Sequence, residues 1–197
     1  YRPLSEPVVF NVPGQQDLVV PALGTLKVEV GIVNELESLE VSSLPCKLTV
    51  VGPPTTVSEP TMGDAAMENP GGVIHRLRYL KSCKEDMDLP PGRYLVFVTR
   101  GPEFERLEEL VDIEVGRAIA VEGVLRRSIN SQDYAASDFH VHAVASPDST
   151  IGKYDRTLSL AGEGLDFWAS TDHDVVDDYQ QTIAALGLDK HLMTIAG

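Results

Sequence analysis

Apolar and polar residues alternate along a series of short runs in the first 127 positions. Thr25-Leu26-Lys27-Val28-Glu29-Val30 is typical, and similar runs occupy residues 47–51, 73–80, 94–99 and 118–125. Because successive side chains of a strand point to opposite faces, such runs predict strands with one buried and one wet face. Proline and glycine punctuate the gaps at Gly52-Pro53-Pro54, Asn69-Pro70-Gly71-Gly72 and Pro90-Pro91-Gly92. Evenly spaced strands with such turns predict a β-sandwich over residues 1–127. The longest gap, 53–72, is poor in apolar residues and is expected to be a surface loop.

After a linker at 128–137 the rhythm changes. Residues 139–144, 165–170 and 192–196 read as strands. Residues 154–163 and 176–186 read as helices, stopped by Gly162, Gly164 and Gly187. Strand, helix, strand, helix, strand implies parallel pairing with right-handed crossovers. The expectation is an α+β multidomain chain: a sandwich at 1–127, then a βα unit at 138–197.

Charge narrows the function classes. The chain has 16 Lys and Arg against 30 Asp and Glu, a net charge of -14. No basic stripe exists to displace counterions, so nucleic acid is not an expected partner. A small phosphate substrate stays compatible, since bound cations reverse the local field. No run of about 18 apolar residues appears, so no membrane span is expected. The chain begins at Tyr1 without a signal-type segment, which reads as a processed end. Cys46 and Cys83 fit either buried free thiols or one disulfide, and their spacing excludes a Cys-x-x-Cys metal site.

Candidate chemistry lies in the last third. Three of the five histidines fall in Asp138-Phe139-His140-Val141-His142 and Thr171-Asp172-His173. His140 and His142 are two apart on a predicted strand and so share a face, a ready-made pair of metal ligands. Both clusters sit where a parallel α/β unit gathers its functional residues, at the carboxyl ends of strands.

Together with Ser146-Pro147-Asp148-Ser149, these runs resemble the opening of the PHP-domain metallohydrolases, and more narrowly their CehA/McbA-type branch. In that branch similar motifs follow a sandwich carrying Leu89-Pro90-Pro91-Gly92-Arg93-Tyr94-like and Thr99-Arg100-Gly101-Pro102-Glu103-Phe104-Glu105-like segments. The first of these also resembles a turn of transthyretin-like, carboxypeptidase-regulatory sandwiches. It reads structurally, as a tight entry into a strand.

The resemblance covers roughly residues 88–197. It implies the first βα units of a distorted seven-stranded barrel, two or three divalent ions (zinc, manganese or iron) and hydrolysis of phosphate mono- or diesters. Carried over by position, His140, His142, Asp148 and His173 would be metal ligands. Asp172 would orient the site as a carboxylate outside the coordination sphere. Asp138 would either hold a histidine tautomer or simply open the strand.

Glu163 reads as a solvated carboxylate, Trp168 as core, and His75 and His191 as surface or cross-strand packing residues. The family's third strand ends in glycine followed by a ligand glutamate, and later ligands follow. The chain is therefore expected to be the N-terminal part of a longer polypeptide whose remainder, possible as a second chain, completes the site, and to have little activity alone. Two other classes fit the same residues: a binding or cell-surface module with a degenerate metal site, and a metal-dependent amidase-like hydrolase.

Overall fold

The structure, a computed structural model, describes residues 22–34, 39–52 and 73–197. The loop expected at 53–72 lies outside the described residues. The described residues are strand-rich, with two short helices. Seven strands come first: β1 (Gly24–Val33), β2 (Cys46–Gly52), β3 (Val73–Leu80), β4 (Lys84–Leu89), β5 (Gly92–Thr99), β6 (Leu107–Ile113) and β7 (Ala118–Arg126). They build one sheet of order β4-β1-β7 and another of order β3-β2-β5-β6. The four-stranded sheet is antiparallel throughout, whereas β1 runs antiparallel to β4 and parallel to β7.

Period-two alternation is what turns these strands into a two-sheet unit. Leu26, Val28, Val30 and Ile32 of β1 are buried while Lys27 and Glu29 face water. Leu48 and Val50 of β2, Tyr94, Val96 and Val98 of β5, and Val121 and Leu125 of β7 meet them in a single core. His75 is buried beside the Tyr94 ring, 5.4 Å between centroids, which fits packing within the two-sheet unit and not a surface position.

Two strands escaped the hydrophobic pattern. β4 reads Lys-Glu-Asp-Met-Asp-Leu and buries only Met87 and Leu89; β6 buries only Val111 and Ile113. Both lie at sheet edges, where charged side chains deter pairing with other chains.

Cys46 and Cys83 form a disulfide, with Cα atoms 5.3 Å apart. It resolves the two readings of the cysteines in favour of a bond. Cys46 begins β2 in one sheet, and Cys83 sits in the turn between β3 and β4, where the chain crosses to the other. Cys83 holds a left-handed backbone at φ 52°, uncommon for a residue with a Cβ. The bond therefore staples the crossing between sheets.

The remaining elements are β8 (Ser137–Val141), α1 (Lys153–Gly162), β9 (Phe167–Ser170), α2 (Gln180–Leu186) and β10 (Met193–Ala196). The three strands form a parallel sheet of order β10-β9-β8. Trp168 and Ile183, both fully buried, anchor a second core with Val141, Leu160, Tyr179 and Leu186. Trp168 is core, as its apolar neighbours in sequence suggest. α2 begins at Gln180, four residues later than the periodicity predicts. The preceding segment is held out of the helix by two side-chain contacts: Asp177 pairs with Lys153, and the Tyr179 hydroxyl donates to Asp172. No helix among the described residues is long and apolar enough to cross a membrane.

The two cores meet where α1 lies against β2 and β3. Arg100, buried, donates from Nη1 to the carbonyls of Pro45 and Ala161, one on each side of the junction. Glu163 is not the solvated carboxylate expected from its place at a helix end. Its Oε1 takes hydrogen bonds from Lys47 Nζ at 2.7 Å and Tyr79 Oη at 2.8 Å. Burial, then that bond to Glu163, pushes the Tyr79 phenol above its ordinary range, so it stays a donor.

Gly101 has φ 65°, and a Cβ there would lie 2.1 Å from the Glu163 carbonyl oxygen. Gly101→Ala should therefore cost at least about 2 kcal/mol, from left-handed strain plus the clash. Urea unfolding followed by circular dichroism checks this, and an unchanged midpoint would refute the tight junction.

Candidate metal centre

The site is built from the carboxyl ends of β8 and β9 and the loops that follow them. These ends are tied by side-chain bonds in addition to the backbone pairing of Val141 with Ser170. Thr171 Oγ1 accepts the Val141 N–H at 3.0 Å, and the Thr171 N–H donates to the Val141 carbonyl at 2.9 Å. Asp172 Oδ1 accepts the Ala143 N–H at 2.7 Å. The backbone on both sides of His142 is thus fixed by residues immediately before His173.

Within that frame, ligand atoms of His142, Asp148 and His173 all lie within 4.8 Å of one another. His142 Nδ1 is 3.0 Å from both oxygens of Asp148, and His173 Nε2 is 3.3 Å from its Oδ2. The rings of His142 and His173 are 4.7 Å apart and nearly perpendicular, so they converge on the carboxylate from two directions. Ser146 is the local hub. Its buried hydroxyl donates to Asp148 Oδ1 at 2.6 Å and accepts the His173 N–H at 3.1 Å. The Ser146 hydroxyl, then the His142 ring, hold the Asp148 carboxyl well below the usual carboxylate range. Asp148 is therefore an anion at neutral pH, which is the form a cation requires.

Three of the four expected ligands come together; the fourth is a neighbour. The His140 ring stacks 4.8 Å from that of His142, as period two predicts, but His140 is not in the three-residue group. Asp172 contacts the Ala143 N–H and the Tyr179 hydroxyl, and makes no hydrogen bond to a histidine ring among the described residues. Asp138 does not hold a histidine tautomer. Its Oδ1 accepts the His140 N–H at 2.9 Å, the local turn bond a strand-entry aspartate makes.

Two contributors had no role in the sequence reading. Ser146 lies two residues before Asp148, a spacing at which serine commonly bonds locally, and that was the available signal. Arg156 sits in the first turns of α1 and donates from Nε to the His142 carbonyl at 2.9 Å. His140, His142, Asp148, Ser149 and Arg156 line an open cleft of about 320 Å³. A second cleft, of about 240 Å³, lies at the junction; it is lined by Arg100, Arg127, Asp189 and His191 among others and holds none of the three grouped ligands.

Two imidazoles and an ionised carboxylate at such separations fit a divalent transition metal. Imidazole suits zinc and iron, and carboxylate extends the range to manganese. No family model matches the sequence, and no curated protein matches it. Among solved structures, the Bacillus anthracis TIE protein is similar over 54% of this chain, at 13% identity and a TM-score of 0.31. The chain spans 17% of the length of that structure. At that extent the likeness assigns neither fold nor function.

Proposed function

We propose that this chain forms part of a metal-dependent hydrolase of PHP type that acts on phosphate mono- or diesters. The observation that carries the reading is the convergence of His142, Asp148 and His173 at the ends of two adjacent parallel strands. His142, Asp148 and His173 would hold one divalent ion, and His140 would serve a neighbouring one. When bound, such ions polarise a phosphoryl oxygen and lower the pKa of water. The histidines set position and transfer no proton. Ser146 aims Asp148, and Thr171 and Asp172 lock the backbone that carries His142.

In this reading the two-sheet unit is a transthyretin-like sandwich, and residues 138–197 are the opening βα units of a distorted barrel. The rest of the same polypeptide would supply further ligands. The Cys46–Cys83 bond would persist in oxidising surroundings, which accords with a secreted or envelope setting.

The test is hydrolysis of bis(4-nitrophenyl) phosphate and 4-nitrophenyl phosphate by the full-length polypeptide. Turnover should appear with added zinc or manganese and vanish with a chelator. Full metal uptake without turnover of either ester would favour the binding-module reading instead.

A further inference from the structure

Arg156 is a cation placed in the wall of the candidate metal cleft, and its own contacts leave its charge unanswered. Its Nε donates to the carbonyl of His142, the residue whose ring faces Asp148. Among the described residues it makes no ion pair, although the chain carries 30 acidic residues. Other arginines do pair: Arg93 with Asp112, Arg106 with Glu108, Arg117 with Glu114 and Arg127 with Glu103. Lys153, on the same helix, pairs with Asp177.

Arg156 is also partly removed from water, and a desolvated charge calls for a counter-charge. The bond at Nε leaves the two terminal nitrogens of a planar fork for another acceptor. That fork matches two oxygens of a phosphate or carboxylate. A net charge of -14 repels an approaching anion at long range, so a phosphate substrate needs a local cation to be retained.

We propose that Arg156 is the anion-recognition residue of this cleft, holding phosphoryl oxygens of a phosphate ester presented to His142, Asp148 and His173. The inference rests on the metal-hydrolase reading above and adds the group that selects for an anionic substrate.

The experiment measures zinc and inorganic phosphate binding separately, by calorimetry on the full-length protein and its Arg156→Gln and Arg156→Lys variants. In Arg156→Gln, phosphate affinity for the zinc-loaded protein should fall about 10- to 100-fold, the usual range for a lost hydrogen-bonded charge. Zinc affinity should fall by a clearly smaller factor than phosphate affinity, because Arg156 bonds the His142 carbonyl and not its ring. Arg156→Lys should fall between, since it keeps the charge but not the fork. Unchanged phosphate affinity with zinc bound would overturn the proposal and leave the metal reading intact. A parallel loss of zinc affinity would also overturn it, making Arg156 a prop for the His142 carbonyl. Failure of the parent protein to take up zinc would overturn the metal reading itself, and this inference with it.

Discussion

His142→Ala is expected to weaken zinc binding at least about 100-fold while leaving the secondary structure unchanged. Loss of partners outside the coordination sphere already costs 10- to 100-fold in many metal sites, and His142 is a candidate ligand. Its ring is adjacent to both oxygens of Asp148, and it contacts the Ser146 hydroxyl at 3.3 Å. Removing it takes away a donor and half of the frame that aims the carboxylate. His140→Ala should cost less, about tenfold, because His140 stands outside the three-residue group. Competition with a chromogenic chelator reads both. Equal affinities for parent and His142→Ala would remove the basis of the metal assignment, and an equal loss in both variants would call for a shared, two-histidine ion.

Breaking the disulfide should have the largest effect on stability. The cysteines are separated by 37 positions, and closing a loop of that size restricts the unfolded chain by about 4 kcal/mol. The Cys46→Ser, Cys83→Ser double variant should lose roughly that much, and so should the parent under reductant. The effect should not stay in the two-sheet unit. The Cys46 carbonyl lies 3.1 Å from where a Cβ on Gly162 would be, and Arg100 bonds Pro45 and Ala161 together. Trp168 is the chain's single tryptophan and lies in the other core, so its fluorescence reports on that side of the junction. In urea, Trp168 fluorescence and far-ultraviolet dichroism should shift to lower denaturant together. Separate midpoints would mean that the two cores unfold independently despite the contacts between them.

What the sequence discloses depends on how local the cause is. Strands β1, β2, β5 and β7 are legible because each alternates over several residues against one shared core, and β3 because its sequence mixes apolar with basic residues. β4 and β6 are not, because each buries only two of its six or seven residues and most of the others are charged. The first turn of α2 was over-extended for a similar reason. Val176, Tyr179 and Ile183 have helical spacing, but Tyr179 is buried with its hydroxyl on Asp172, and Val176 is exposed.

The grouping of His142, Asp148 and His173 was foreshadowed by motif and strand-end position. The part played by Ser146 was not, since a serine carries no periodic signature and acts only once the loop has folded. Glu163 was misread for the clearest physical reason. Its partners Tyr79 and Lys47 are 84 and 116 positions away, beyond any window of local pattern.

The parallel pairing of β1 with β7 sets an order of events during synthesis. Thr25 finds its partner only when Ala118 has been made, and β1 lies at the centre of its sheet. At ribosomal speeds of about 5–20 residues per second, the nascent chain spends several seconds with that flank of β1 unclaimed. Leu26, Val28 and Val30 alternate along it, so the exposed strand is a template for any other extended segment nearby. A chaperone that shields this stretch until β7 emerges should raise the yield of folded protein, and a chain cut after β6 should aggregate.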